Sequence, residues 1–390
     1  MSYKKEKILL VDDNPINIKV LSECLSGLDY ELLLANNGTR CLAIASRAIP
    51  DLILLDINLP DLNGFEVCEK LKKNPLLASI PVIFLSALDD TQSKVDGFAV
   101  GAIDYVTKPF QKEEIIARVS THLQIHKLTQ ALKQKNQEIH ESIDYGARIQ
   151  QAILPEAHTL KDLFPKSFML YQPLQSISGD FYWWYKNGDD VFLVIGDCTG
   201  HGVPGGFMSL IGLHSVAKLV EDRNIIGPSQ FMNKLDEEVQ AQLNQDKPNC
   251  KTKDGMELIF CRFNFNQMSL HYASAKRRIL LIRNRELIPL DYDKYPIGGG
   301  NLYASKPSFQ SHFLSLKPND VFYFYTDGLV DQFGGPKNRR FTTDRLKQTI
   351  LELQNRPLEL QKIALQEIFH GWQGDEEQTD DRTLIGIEIA

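Results

Sequence analysis

Four acidic motifs follow one another through the C-terminal part of the chain: Asp180 in SGDFYWW, Asp197 in IGDCTGHGVPGG, Asp327 in YTDGLVDQFGG, and the pair Asp380 and Asp381 in EQTDDRT. Mg2+ and Mn2+ are hard ions that want oxygen ligands, and two of them side by side need several carboxylates brought in from separate strands and turns. The glycine-rich flanks suit loops that close around such a centre. Two ions held in this way can activate a bridging water for in-line attack on a phosphoryl group and neutralise the charge that develops on its oxygens. These residues therefore predict metal-dependent hydrolysis of a phosphoester.

A second set of reactive residues lies near the N-terminus. Asp12 and Asp13 end the run KILLVDD, Asp56 ends DLILLDI, Ser86 lies in PVIFLSA and Lys108 in DYVTKPF. With ELLLAN these runs make five expected strands alternating with helix-like segments. Such alternation implies a parallel sheet covered by helices on both faces, whose carboxyl edge forms a ligand crevice. Any one Asp or Lys at a strand end reads as a solvated turn residue. Three carboxylates, a hydroxyl and a lysine on the same edge would instead hold a Mg2+ ion, present Asp56 as a nucleophile and stabilise a transferred phosphoryl group.

The acidic pair, the acceptor in LLDINLPDLNG, the hydroxyl in FLSA and the lysine before proline in TKPF resemble the receiver domain of two-component response regulators. The resemblance implies a flavodoxin-like fold and Asp56 as the phosphoacceptor, supplied by a histidine kinase or phosphotransfer protein. It also implies that Asn58 gives a backbone carbonyl to the Mg2+ ion, that Tyr105 acts as an aromatic switch, and that Lys108-Pro109 is a cis peptide.

The elements that must position these residues divide the chain. Its 390 residues, 43% of them hydrophobic, suffice for two domains with separate cores. The expected boundaries are 1–122 for the receiver, 123–154 for a helical connector and 155–390 for the second domain. A net charge of -7 argues against a nucleic-acid or anionic-membrane surface. The basic run KRRILLIRNR, Lys276 to Arg285, reads as a strand edge with solvated flanks, with a site for a phosphorylated partner as the alternative. Cys24, Cys41, Cys68, Cys198, Cys250 and Cys261 show neither C-x-x-C pairs nor zinc-ligand spacing and read as isolated thiols. MSYKKEK leads straight into a strand-like run, and no apolar stretch is read as long enough to span a bilayer, so a cytoplasmic protein is expected.

In the connector, Ile125, Leu128, Leu132, Ile139, Ile149 and Ile153 fall on three- and four-residue steps, with Lys135, Ser142 and Gly146 in the remaining slots. This predicts a coiled-coil seam with polar interruptions and hence a homodimer; the alternative is one amphipathic helix lying on its own domain.

Beyond Pro155, VFLVIGD, MELIFCRFNF, SLHYASA, ILLIRN and DVFYFYTDG read as strands, with helices near Phe207 to Glu221, Pro228 to Leu243 and Arg345 to Gly371. Two antiparallel sheets flanked by helices are expected, with the acidic motifs meeting at one edge. The motifs resemble the metal-dependent serine/threonine protein phosphatases of the phosphatase 2C type, specifically the SpoIIE and RsbU branch, which implies an α-β-β-α sandwich. By this resemblance Asp197 bridges two Mg2+ or Mn2+ ions, Cys198 offers a backbone carbonyl, Asp180 joins the second ion, and Asp327 with Asp380 holds the first. Asp381 is the other member of that pair, and His201 in GHG stands where related enzymes place a proton donor; the alternative is a structural histidine in a glycine-rich turn. Two positions depart from the branch: Trp183 and Trp184 replace an additional acidic residue, and Gly205 and Gly206 replace two alanines. The implied function is a receiver-controlled protein phosphatase acting on a phosphorylated anti-sigma-factor antagonist; the alternative is a receiver-controlled binding adaptor.

Overall fold

The computed structural model describes residues 5–87, 97–221, 227–247, 250, 252–300 and 308–390. The chain divides into two compact units, Met1–Ile139 and His140–Ala390, each considered by itself.

In the first unit β1 (Glu6–Val11), β2 (Tyr30–Ala35), β3 (Leu52–Asp56), β4 (Val82–Ala87) and β5 (Asp104–Lys108) form a parallel sheet in the order β2-β1-β3-β4-β5. Ile8, Leu9, Leu10 and Val11, like Leu52 to Leu55, are buried on both faces, as a central parallel strand requires. Three asparagines start the helices: Asn14, Asn37 and Asn63 accept from Ile16, Arg40 and Phe65 N–H groups at the heads of Pro15–Leu25, Gly38–Ala48 and Gly64–Lys73.

The helix Lys112–Ile153 begins inside the first unit and runs through the stretch read as a connector. Ile125, Leu128, Leu132, Ile139, Ile149 and Ile153 are all exposed along it.

The second unit is built on two antiparallel sheets. One follows the order β14-β10-β9-β8-β7 with β13 beside β9, using β7 (Asp180–Asn187), β8 (Asp190–Cys198), β9 (Gly255–Asn264), β10 (Ser269–Ala275), β13 (Ile297–Gly298) and β14 (His312–Ser315). The other follows β12-β11-β15-β18-β6, using β6 (Ser167–Gln172), β11 (Ile279–Arg283), β12 (Glu286–Ile288), β15 (Val321–Tyr325) and β18 (Arg382–Glu388). They pack face to face, with Phe263 edge-on to Phe322 at 5.9 Å and Ile195, Leu270, Phe324 and Ile385 in the same core. Helices Gly202–Glu221 and Pro228–Gln242 cover the first sheet, where Phe231 stacks on Phe260 at 4.0 Å. Thr343–Leu353 and Leu358–Gln373 cover the second through Leu346, Ile350 and Leu365. The layers are therefore α-β-β-α.

Three expectations change. The helix read from Arg345 to Gly371 is two helices, because Pro357 cannot continue the first. The helix Gly202–Val220 is long and apolar enough to cross a membrane, although the sequence reading found no such stretch. Half of it is buried, with Met208, Leu213, Val216 and Leu219 in the domain core. The basic run is only partly a solvated flank: Lys276, Arg278 and Arg285 are exposed, but Arg277, in the turn before β11, is buried, and Arg283 at the end of β11 is paired with Asp320 at 2.6 Å.

Candidate functional site

In the first unit Asp12, Asp13 and Asp56 place carboxylate oxygens within 4.8 Å of one another. Adjacent parallel strands explain this, since β1 and β3 pair in register and both end at the same edge. Lys108 reaches across with Nζ 2.9 Å from Asp12 and 3.0 Å from Asp56. Asn17 donates to both oxygens of Asp12, fixing its rotamer. Burial raises the Asp56 pKa above the usual carboxylate range, opposed by Lys108 and reinforced by Asp12. Burial opposes the Lys108 charge, but its hydrogen bonds to Asp12 and Asp56 prevail and raise its pKa.

Gly64 is required behind Asp56: a Cβ there would lie 2.3 Å from the Asp56 carbonyl oxygen. Ser86 Oγ is buried with no hydrogen-bond partner among the described residues. Asn58 is exposed just past the acceptor strand. Tyr105 lies edge-on to Phe98 at 6.2 Å, under the Arg118 guanidinium. The Lys108-Pro109 bond is cis, as expected.

In the second unit the antiparallel register sets Asp180 opposite Asp197, and Asp197 opposite Glu257, across β7, β8 and β9. The partner sheet closes on this row. Asp180 Oδ2 accepts hydroxyl hydrogen bonds from Thr326 at 2.7 Å and Thr383 at 2.6 Å, so a single carboxylate ties both sheets together at the site. Burial lifts its pKa to about 7, with the two threonine hydroxyls pulling down and Asp381 pushing up.

Asp327 heads a short helix, Asp327–Val330, immediately after β15. Gly328 lets it approach the last motif, since a Cβ there would lie 2.0 Å from the Asp381 carbonyl oxygen. Asp380 is raised by burial, opposed by the Asp381 N–H, with Asp327 and Asp381 raising it further and the nearby His201 lowering it. His201 itself is exposed.

Asp381 accepts from the backbone N–H of Leu174 and of Gly179, both at 2.7 Å. Its oxygens therefore hold the loop that carries Asp180 rather than facing the gap between the acids. Cys198 is buried, and burial pushes its thiol pKa well above the ordinary value, so a thiolate ligand is disfavoured.

The structure adds residues that the sequence motifs did not mark. Arg277 sits among the acids with a side chain only 9% exposed. It bonds Asp197, contacts Asp327 at 3.1 Å, and has Nε 2.7 Å from Glu257 Oε2, an ion contact rather than an aligned hydrogen bond. Lys276 pairs with the other oxygen of Glu257. A charged Glu257 in the otherwise apolar run GMELIF was a legible signal; nothing local separates the inward Arg277 from its neighbour Arg278. Gln150, near the end of the long helix, donates to the Ser178 carbonyl at 2.6 Å and to Ser209 Oγ at 2.7 Å, and accepts from Ser178 N–H at 3.0 Å. These bonds clamp the residue two before Asp180.

The departures at Trp183, Trp184, Gly205 and Gly206 are structural. Trp184 stacks on Tyr182 at 5.1 Å and donates to Thr159, and Trp183 stacks on Tyr185. A Cβ on Gly205 would lie 2.2 Å from the Gly200 carbonyl oxygen, and one on Gly206 would lie 2.1 Å from Ile177.

Residues 187–390, more than half of the chain, match the stage II sporulation protein E (SpoIIE) family. The chain belongs to the SpoIIE family. Residues 8–120 match the response regulator receiver domain, so a receiver domain precedes the SpoIIE domain. The SiaA-PP2C domain of Pseudomonas aeruginosa is 25% identical with a TM-score of 0.59, over 66% of this chain and 99% of that one, which identifies the second fold as PP2C-like. The DNA-binding dual master transcriptional regulator RpaA of Synechocystis is 43% identical over 113 residues, covering 29% of this chain and 47% of that protein. Response regulator PleD of Caulobacter vibrioides is 38% identical over 129 residues, 33% of this chain and 28% of that protein. The chain thus spans less than half the length of these two curated relatives.

Proposed function

We propose that the SpoIIE domain is a Mg2+- or Mn2+-dependent protein serine/threonine phosphatase whose rate is set by phosphorylation of Asp56 in the receiver. What supports this reading is that Asp180, Asp327 and Asp380, from three other segments of a two-sheet sandwich, lie close enough to Asp197 to add to the rise in its pKa that burial causes. Among the described residues, Asp180, Asp197, Glu257, Asp327 and Asp380 have Lys276 and Arg277 as their close Lys or Arg partners. Such an excess of negative charge, part of it buried, is suited to divalent ions.

Asp197 would be shared between two ions, with Asp327 and Asp380 on one side and Asp180 and the Cys198 carbonyl on the other. Such a pair would supply an activated water and offset the charge on the phosphoryl oxygens. The protein's own residues set the geometry: Thr326 and Thr383 orient Asp180, Asp381 fixes the loop beneath it, and Gln150 anchors that loop to the connector helix. His201, exposed and near enough to lower the Asp380 pKa, would hand a proton to the departing serine or threonine oxygen. The open, loop-built edge suits a phosphate carried on a protein, and a phosphorylated anti-sigma-factor antagonist is the proposed substrate.

In the receiver, Asp12, Asp13, Asp56 and the Asn58 carbonyl would hold a Mg2+ ion. Lys108 and Ser86 would then bind the phosphoryl group delivered to Asp56 by a histidine kinase or phosphotransfer protein, with Tyr105 as the switch. The exposed apolar steps of the long helix favour a parallel coiled coil, and so a homodimer.

The test is release of phosphate from an aryl phosphate by the full chain in Mn2+ or in chelator, with and without a small-molecule phosphodonor. Metal-dependent release that shifts with the donor is expected. No release from folded, Mn2+-bound protein would favour the binding adaptor.

A further inference from the structure

We propose that Arg277 is an internal cation that competes with a divalent ion for Asp197 and Asp327, with Glu257 as the seat it takes when the ion binds. The inference rests on the two-ion reading of the site and concerns a residue that none of the acidic motifs contains.

Arg277 is held in place by its own turn. Lys276 adopts a left-handed backbone with φ of 61°, unusual for a residue with a side chain, and its N–H donates to the Asp293 carbonyl at 2.7 Å. Ser274 Oγ donates to the Arg277 carbonyl at 2.5 Å. This anchoring aims the guanidinium between the sheets rather than toward solvent, which explains its burial.

One terminal nitrogen, Nη2, reaches both Asp197 and Asp327. Those two carboxylates are the ones an ion on the Asp327 side would share. A guanidinium and a divalent ion cannot both lie between them, because like charges repel strongly in a site shielded from water. Among the described residues, three acidic side chains close to within 4.8 Å of one another only in the receiver; here the acids stand around a cationic side chain. Glu257 offers the way out. It is already in contact with Arg277 Nε, adjoins Asp197 across the sheet, and is steadied by Lys276. A small swing of the guanidinium onto Glu257 frees Asp197 and Asp327 without exposing or orphaning the charge.

The experiment is calorimetric titration of Mn2+ into the chelator-treated full chain and its variants, with Asp327→Asn identifying the binding event that belongs to this centre. The receiver's ion site is common to all the proteins and cancels in the comparison. Arg277→Gln is expected to tighten the Asp327-dependent event by about 10-fold or more. It should also lower the melting temperature in chelator, with Mn2+ restoring it. Glu257→Gln is expected to weaken the same event several-fold, because it removes the alternative seat. Should Arg277→Gln fail to fold, Arg277→Lys keeps the charge on a group that cannot span both acids, and tighter Mn2+ binding is expected again. Unchanged Mn2+ affinity in the Arg277 variants would overturn the competition, and unchanged affinity with a raised KM would reassign Arg277 to the substrate's phosphate. Loss of any Asp327-dependent Mn2+ event in every protein would overturn the two-ion reading itself.

Discussion

Both halves of the chain gather carboxylates around one cationic side chain, but they do it by different routes. In the receiver, Asp12, Asp13 and Asp56 come from neighbouring strands of a single parallel sheet, and Lys108 comes from the end of its edge strand, β5. In the SpoIIE domain, the acids come from both sheets of a sandwich, and Arg277 comes from a turn distant in sequence from most of them. The cations differ in the same way. Lys108 keeps 27% of its side chain exposed. Arg277 is enclosed, and its planar fork spans several acids at once. A site built at one sheet edge is set by strand order; a site built between sheets depends on how the sheets close.

The sharpest break of this comparison separates the two chemistries. Asp327→Asn is expected to lower phosphoester hydrolysis by about 10²-fold or more while leaving receiver phosphorylation and the melting temperature near those of the parent. Asp56→Asn should do the reverse, keeping hydrolysis but removing its response to the phosphodonor. Parallel assays of phosphate release and acyl-phosphate formation check both, and equal turnover by the Asp327→Asn protein would sink the metal assignment.

A smaller effect tests how the SpoIIE site is fastened to its scaffold. Gln150→Ala leaves the Ser178 N–H and carbonyl unpaired in a buried position and should destabilise the second unit by about 1–3 kcal/mol. Denaturant unfolding measures the loss, and hydrolysis should fall with it because Asp180 is two residues away. Gly205→Ala tests the close approach to Gly200: overpacking of about 1–3 kcal/mol is expected. A fully stable, active Gly205→Ala protein would show that the loop yields freely.

The smallest effect belongs to the receiver, where the loop after Asp56 is tied locally. Asn63→Ala removes the cap of Gly64–Lys73 and should cost about 1 kcal/mol in thermal or denaturant unfolding, with phosphorylation at Asp56 unchanged. Loss of phosphorylation would mean that the cap also sets the acceptor geometry.

The receiver was legible almost residue by residue. Its strands are short apolar runs, each reactive side chain sits at the end of one, and a parallel sheet with alternating helices brings those ends to one edge. The acids of the SpoIIE domain were legible too, because glycine-rich turns mark where a backbone must approach closely. Two stacked sheets flanked by helices followed from the blocks of strands and helices, and the α-β-β-α order from the resemblance to the phosphatase 2C type. Tertiary structure alone decided the rest. The antiparallel register put Glu257 beside Asp197, and closure of the second sheet delivered Thr326 and Thr383 to Asp180. Asp380 was left by the other acids while Asp381 turned back to the Leu174 and Gly179 amides. Arg277 turned inward and Arg278 did not, although the two are adjacent and chemically identical. A sequence records which charges are available; the direction each one faces is fixed by strand register and sheet packing, which are interactions between residues far apart in the chain.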